Sequence, residues 1–248
     1  MREKKRGVSY FVTVKSQLRY IIWDFDGTLA FRSGMWSGTL IEILRREMPA
    51  NTSTVGDIRP YMQFGFPWNR AELLHDPIRS ADEWWDDMLP VFQNAFEQGA
   101  KLEASVAAGL ARHVRSAYIN PDSWQLFDDT LPCLHGLRSS GWHHVILSNH
   151  VPELPGLIQS LGLGPLIENV FNSAQTGFEK PHGNAFGAVL TTIEGATQVW
   201  MVGDNVSADI AGAHAAGLPS ILVRSQHPAA VHCCRTLAEL PRMLADLG

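Results

Sequence analysis

Leu18-Arg-Tyr-Ile-Ile-Trp23 runs straight into Asp24-Phe-Asp26-Gly27-Thr28-Leu29, and this junction decides the fold. Four of the first six residues are β-branched or aromatic, and the run stops on turn chemistry, the pattern of a short buried strand. Similar runs recur at His144–Leu147, Gln198–Val202 and Ser220–Val223. Between and beyond them the spacing predicts helices over Thr130–Ser140, Glu153–Leu161, Asn184–Ile193, Ser207–Ala216 and Thr236–Leu247, with Gly141 and Gly217 as stop signals. Strands alternating with single helices imply right-handed crossovers. The expected fold class is therefore α/β: a Rossmann-like parallel sheet with helices on both faces.

The stretch from about Gly34 to Asn120 breaks this rhythm. It holds no convincing strand, and Glu83–Phe96 and Leu102–Tyr118 carry apolar residues at helical spacing. These features predict a separate helical insertion after the first strand, giving a core of residues 1–33 and 122–248 and a cap of 34–121. Trp84, Trp85, Met88 and Phe92 are expected to form the insertion's own core. Within it, Asp57–Arg70 reads as loop-rich, and Arg59, Asn69 and Arg70 are candidates for contact with an anionic or hydroxyl-bearing ligand, or else solvated residues of a helix connection.

The chain has 248 residues, 45% of them hydrophobic and 18% charged, which suits a globular protein with a full core. A net charge of -5 argues against nucleic acid as the main ligand, and the basic run Arg2–Arg6 reads as a solvated tail. Three cysteines, Cys133, Cys233 and Cys234, form no C-x-x-C pair, so neither a disulfide framework nor a zinc ribbon is indicated. No apolar stretch reaches the length of a membrane span, and the first 20 residues lack a signal-peptide pattern. A cytoplasmic protein without membrane partners is expected. Nothing in the sequence fixes the number of copies.

The chemistry gathers at the ends of the predicted strands. Asp24 and Asp26 stand two apart where a parallel sheet opens its ligand crevice, and like charges this close call for a cation or a phosphate site to organise them. Ser148-Asn149 follows the second central strand and offers a hydroxyl at the same edge. Lys180-Pro181, after Gly177, offers a positive charge. Gly203-Asp204-Asn205 and then Asp209 follow the strand Gln198–Val202 and add carboxylates suited to a hard divalent ion. Each has a plainer reading: Ser148 as a helix cap, Lys180 as one of 20 basic residues, Asp209 as a partner for a helix dipole. Three of the four groups lie immediately after a predicted sheet strand, which favours one shared crevice.

Asp24-x-Asp26-Gly-Thr-Leu, Ser148-Asn149, Lys180-Pro181 and Gly203-Asp204-Asn205-x-x-x-Asp209 resemble the four motifs of the haloacid dehalogenase superfamily, in order. The resemblance covers about residues 18–29 and 122–248, and the helical insertion corresponds to that family's cap of the first type. It implies a phosphatase, a phosphoric monoester hydrolase that acts on a small phosphate ester through an aspartyl-phosphate. In that scheme Asp24 is the nucleophile and Asp26 the general acid and base. Mg²⁺ is held by Asp24, the Asp26 carbonyl and Asp204, with Asp209 as a further carboxylate acting directly or through water. Ser148, Asn149, Lys180 and Thr28 bind the phosphoryl group. Dehalogenases of the superfamily lack the second acidic residue of the first motif, so Asp26 favours phosphoryl chemistry. A sugar phosphomutase and a non-catalytic phosphate-ligand sensor remain as alternatives.

Overall fold

A computed structural model of the chain describes residues 18–74 and 80–247. The basic run Arg2–Arg6 lies outside the described residues. Among the described residues eight strands are formed: β1 (Arg19–Trp23), β2 (Ala30–Arg32), β3 (Trp124–Leu126), β4 (Trp142–Ser148), β5 (Asn169–Asn172), β6 (Gln198–Gly203), β7 (Ser220–Val223) and β8 (His232–Cys234). Six of them make one parallel sheet in the order β5-β4-β1-β6-β7-β8. The α/β class expected from the sequence is the observed one.

The residues of β1 explain why it lies at the centre. Ile21, Ile22 and Trp23 are fully buried, so both faces of the strand must be covered. One apolar core, which includes Ile21 and Trp23, packs on one face and continues into the helices of the insertion. A second, built from Ile22, Val145, Leu147, Met201, Phe186 and Val189, packs on the other. The chain runs from β1 to β4 and β5 on one side and then crosses to β6, β7 and β8 on the other. That reversal beside β1 opens a crevice at the carboxyl ends of the strands.

Register sets the site. Trp23 pairs with Ile146 of β4 and with Val202 of β6, so β1, β4 and β6 end at nearly the same level. Asp24, Ser148 and Asp204 thus leave the sheet side by side.

The expected helices are present with altered ends. Thr130–Ser139, Leu154–Ser160 and Gly183–Thr192 are regular. The predicted Ser207–Ala216 helix opens instead as a wide π-type turn over Val206–Ala211, followed by one α turn at Gly212–Ala215. Thr236–Leu247 begins as a 3₁₀ turn at Leu237–Glu239, closed by a Thr236/Glu239 capping box, before the α-helix Leu240–Leu247.

Between β2 and β3 the described residues are helical. A helix over Met35–Glu47, which sequence reading did not single out, buries Leu40, Ile41, Ile43 and Leu44. Ala81–Gly99 buries Trp84, Trp85, Met88, Phe92 and Phe96 at helical spacing and starts on a Ser80/Glu83 capping box. The stretch expected as one helix over Leu102–Tyr118 divides into Ala104–Ala111 and Val114–Tyr118. β2 and β3 pair antiparallel, so the strand that leads into this stretch lies against the one that leads out. Trp85 Nε1 and Arg115 both donate to the Glu153 carboxylate, tying the helices to the start of the Leu154–Ser160 helix. No described helix is long and apolar enough to cross a membrane, and the three cysteines are free.

Candidate active site

Asp24 is the first residue past β1, and its N–H donates to the Val202 carbonyl at 2.9 Å, extending the ladder by one bond. The next residues fold back tightly, since the Phe25 carbonyl accepts from the N–H groups of Thr28, Leu29 and Ala30. Gly27 makes the turn possible. Its φ of 73° suits glycine, and a Cβ there would stand 2.2 Å from Asp204 Oδ2. Arg224, just past β7, donates to the Thr28 carbonyl and to Asp129, holding the turn from behind.

Two donors converge on the Asp24 carboxylate. Ser148, the last residue of β4, donates its hydroxyl to Oδ1 at 2.9 Å, and Lys180 Nζ stands 2.9 Å from the same oxygen. Lys180 also contacts Asp209 Oδ1 at 2.5 Å. Asn149 fixes that lysine: its carboxamide accepts from the Lys180 N–H at 2.7 Å and donates to the Lys180 carbonyl at 2.9 Å. Burial works against the Lys180 charge, yet Asp209 and Asp24 outweigh it and hold the ammonium above its ordinary value.

Asp204 and Asp209 come from the loop after β6. Asp209 Oδ2 accepts from the Asn205 N–H at 3.0 Å, and the wide turn of Val206–Ala211 carries the side chain back beneath β6. A Cβ on Gly203 would lie 2.1 Å from Asp209 Oδ2, so that approach needs glycine. Carboxylate oxygens of Asp24, Asp204 and Asp209 all lie within 4.8 Å of one another, a set of hard oxygen donors of the kind that holds a divalent cation. Burial, then the charges of Asp24 and Asp209, push Asp204 up to about 7. Burial raises Asp209 to about 6 against the pull of Lys180. Lys180 alone leaves this cluster short of positive charge.

Asp26 is set apart from that cluster. Burial first, then the charges of Asp24 and Asp204, raise its carboxyl well above the usual range, which favours the protonated acid. Its buried Oδ1 has no hydrogen-bond partner. The nearest group is His150 Nε2 at 3.6 Å, too far for a hydrogen bond. His150 is enclosed by Phe25, Tyr118 and Trp124, and burial lowers it to about 4, so the ring is uncharged near neutral pH and the contact is not an ion pair.

These residues open into a cavity of about 440 Å³, walled by Asp24, Asp26, Ser148, Asn149, Lys180 and Asp204 from the strand ends. From the insertion come Met35, Trp36, Trp68 and Tyr118. The structure does not bring Thr28 to this wall: its side chain is fully buried and Oγ1 has no partner. Arg59, Asn69 and Arg70 do not line it either, and Asn69 serves its own turn, bonded to the Phe66 N–H and the Gln63 carbonyl. Sequence reading missed His150, Tyr118, Trp36 and Trp68. For His150 a signal existed, its place directly after Ser148-Asn149.

The family model for haloacid dehalogenase-like hydrolases matches residues 18–217. The chain belongs to that family. It is an enzyme, a haloacid dehalogenase-like hydrolase. Among relatives, it is 27% identical over 150 residues to haloacid dehalogenase-like hydrolase domain-containing protein 3 of Bos taurus, a match that spans 60% of this chain and 59% of that one. The Homo sapiens protein of the same name is 29% identical over 211 residues, 84% of this chain and 82% of the other. Glyceraldehyde 3-phosphate phosphatase of Methanothermobacter thermautotrophicus is 26% identical over 216 residues, 84% and 87% of the two chains. The fold of this hydrolase is similar to that of the Bacillus subtilis HAD hydrolase YfnB, with a TM-score of 0.69 at 23% identity over 92% of this chain and 99% of that one.

Proposed function

We propose that this hydrolase is a Mg²⁺-dependent phosphatase that acts on a small phosphate monoester, with Asp24 as nucleophile and Asp26 as acid and base. The observation that carries the reading is the convergence of Ser148 Oγ and Lys180 Nζ on Asp24 Oδ1 beside the carboxylates of Asp204 and Asp209. A carboxylate becomes a competent nucleophile towards phosphorus when donors around it offset the charge of the incoming group. The relative named glyceraldehyde 3-phosphate phosphatase supports phosphate-ester chemistry, and YfnB, described as bound to magnesium, supports the choice of ion.

The residues fit such an ion. Asp24 and Asp204 would hold it with the Asp26 carbonyl, while Asp209, engaged by Lys180 and the Asn205 N–H, would stand behind them. When bound, Mg²⁺ supplies positive charge against the phosphoryl oxygens.

The chain's own groups divide the remaining work. An Asp24 oxygen attacks phosphorus, the ester P–O bond breaks, and the protonated Asp26 gives its proton to the leaving oxygen. Asp26, now a carboxylate, takes a proton from water, which attacks the aspartyl-phosphate and frees Asp24 and inorganic phosphate. Lys180 and Ser148 hold phosphoryl oxygens throughout, and Asn149 holds Lys180. The helical stretch 34–121 would act as a cap over a core of residues 1–33 and 122–248, with β2 and β3 as its stem. A cytoplasmic setting goes with this reading.

Phosphate release from a panel of monoesters with Mg²⁺ present tests it. Asp24→Asn is expected to lower kcat by at least ~10³-fold. Equal release by that variant refutes the nucleophile, and an isomeric sugar phosphate in place of free phosphate identifies a mutase. No metal-dependent cleavage of any ester would favour a phosphate sensor.

A further inference from the structure

The cavity beside Asp24 has two unlike ends. Carboxylates and Lys180 form one, and Met35, Trp36, Trp68 and Tyr118 form the other. The aromatic end is built into the packing of the insertion. Tyr118, fully buried, stacks on Trp36 with ring centroids 3.8 Å apart and planes 5° from parallel. Trp68 stacks on Phe66 at 4.6 Å and 7°, and lies 6.2 Å from Trp36 at 29°. Trp36 and Trp68 are held by these neighbours yet only half-buried, which leaves part of their surface to the cavity. Met35 holds φ 46° directly after Gly34 at 69°, a left-handed backbone that a non-glycine residue rarely adopts. The chain keeps that strained residue where it lines the cavity wall.

Charge points the same way. Among the described residues lining the cavity, Lys180 is the only lysine or arginine, and it already faces Asp24 and Asp209. Arg32, near the Tyr118 ring, is engaged by Thr39 and Glu42 and does not line the cavity. One lysine and a divalent ion would already face the carboxylates of Asp24, Asp204 and Asp209 and one phosphoryl group. Among the described residues that line the cavity, no further lysine or arginine is left to receive a second anionic group.

The geometry points to a substrate whose leaving group is uncharged and aromatic, stacked against Trp36 and Trp68 while its phosphate meets Lys180 and Ser148. This inference rests on the phosphate site of the proposed function. A cavity of about 440 Å³ has room for a single-ring ester of this kind.

Binding tests the inference without turnover. Calorimetry with Mg²⁺ present would compare benzylphosphonate, methylphosphonate and phosphonoacetate, which share the phosphonate and differ in what it carries. Benzylphosphonate is expected to bind about tenfold tighter than methylphosphonate, the scale of one aromatic stacking contact, with phosphonoacetate the weakest. Trp68→Ala should bring the benzyl-to-methyl ratio towards unity, and Trp68→Phe should restore most of it. Tightest binding by phosphonoacetate, no binding of benzylphosphonate, or an unchanged ratio in a folded Trp68→Ala protein overturns the inference. Benzyl phosphate hydrolysis, followed in parallel, separates the two readings. Preserved binding order without hydrolysis overturns the phosphatase and leaves the aromatic site standing; hydrolysis without aromatic preference overturns the aromatic site alone.

Discussion

Lys180 Nζ and Asp209 Oδ1 meet at 2.5 Å with neither side chain more than 2% exposed. A buried pair of this kind adds little net stability compared with an apolar replacement, but removing one partner leaves the other charge buried and uncompensated. Here the lysine serves two carboxylates, because Asp24 Oδ1 is 2.9 Å away. Lys180→Ala is therefore expected to destabilise the metal-free protein by ~3–5 kcal/mol, read by denaturant unfolding. Added Mg²⁺ should recover part of that loss, since a ligand that binds only the folded state stabilises it by mass action. An unchanged unfolding midpoint would show that the pair is not the keystone of the cluster.

Two glycines make room for the carboxylates of the loop after β6. A Cβ on Gly203 would meet Asp209, and one on Gly27 would meet Asp204 on a left-handed backbone. Gly203→Ala is expected to push Asp209 off Lys180 and to lower both stability and phosphate release. Gly27→Ala should displace Asp204, so its mark should be loss of the thermal stabilisation by Mg²⁺. If Gly27→Ala keeps the full Mg²⁺-dependent rise in Tm, Asp204 does not hold the ion.

Much of this arrangement was legible in the sequence because it depends on strand ends. A buried strand that stops on Asp, Ser or Gly-Asp announces both the sheet and the crevice; β7 shows its apolar run alone, and β1, β4 and β6 read that way. The edge strands did not. β5 offers only Val170 and Phe171 as apolar residues, both part-exposed, and β8 is three residues long. β2 and β3 are as short and are defined by each other. The Met35–Glu47 helix starts on left-handed Gly34 with no side-chain cap, so no start signal marks it. In the site, the charged groups were readable one by one, while Trp36, Trp68 and Tyr118 belong to it only because the insertion folds back over the strand ends. Asn149 lines the cavity, and nothing in the sequence signals that its carboxamide also grips the Lys180 backbone.

His144 predicts an acid-sensitive fold. It is a buried residue of β4, where Trp23 Nε1 donates to its Nδ1 at 3.1 Å and its Nε2 faces the Leu134 carbonyl at 3.1 Å. Those partners fit one neutral tautomer, with the proton on Nε2, and burial lowers the ring from 6.5 to about 4 despite the Leu134 bond. Below pH 6.5 the unfolded chain takes up a proton that the folded one refuses. The contribution is thus complete above 6.5 and lost as pH falls towards 4, worth ~3 kcal/mol at about 1.4 kcal/mol per tenfold change in proton affinity. Denaturant unfolding of wild type and His144→Gln from pH 7 to 4 checks it: the difference between them should change across that window. A constant difference would remove His144 as the cause.

Glu179 predicts the opposite slope. It precedes Lys180, is 1% exposed, and its Oε2 has no partner. Burial raises its carboxyl from 4.5 to about 7, with the Ser173 hydrogen bond and the Lys180 charge working against the rise. Between those values the folded chain keeps a proton that the unfolded chain has released. This contribution is full below pH 4.5 and is lost as pH rises through about 7. Glu179→Gln keeps the shape without the titration, so its stability relative to wild type should grow with pH, by up to ~3 kcal/mol at alkaline pH. Over pH 4.5 to 6.5 the His144 and Glu179 slopes oppose each other, so the wild-type curve should be flatter there than that of either variant. Parallel curves for wild type and Glu179→Gln from pH 4.5 to 8 would mean that Glu179 is ionised in the folded protein, and that the charge beside Lys180 is carried by one more carboxylate.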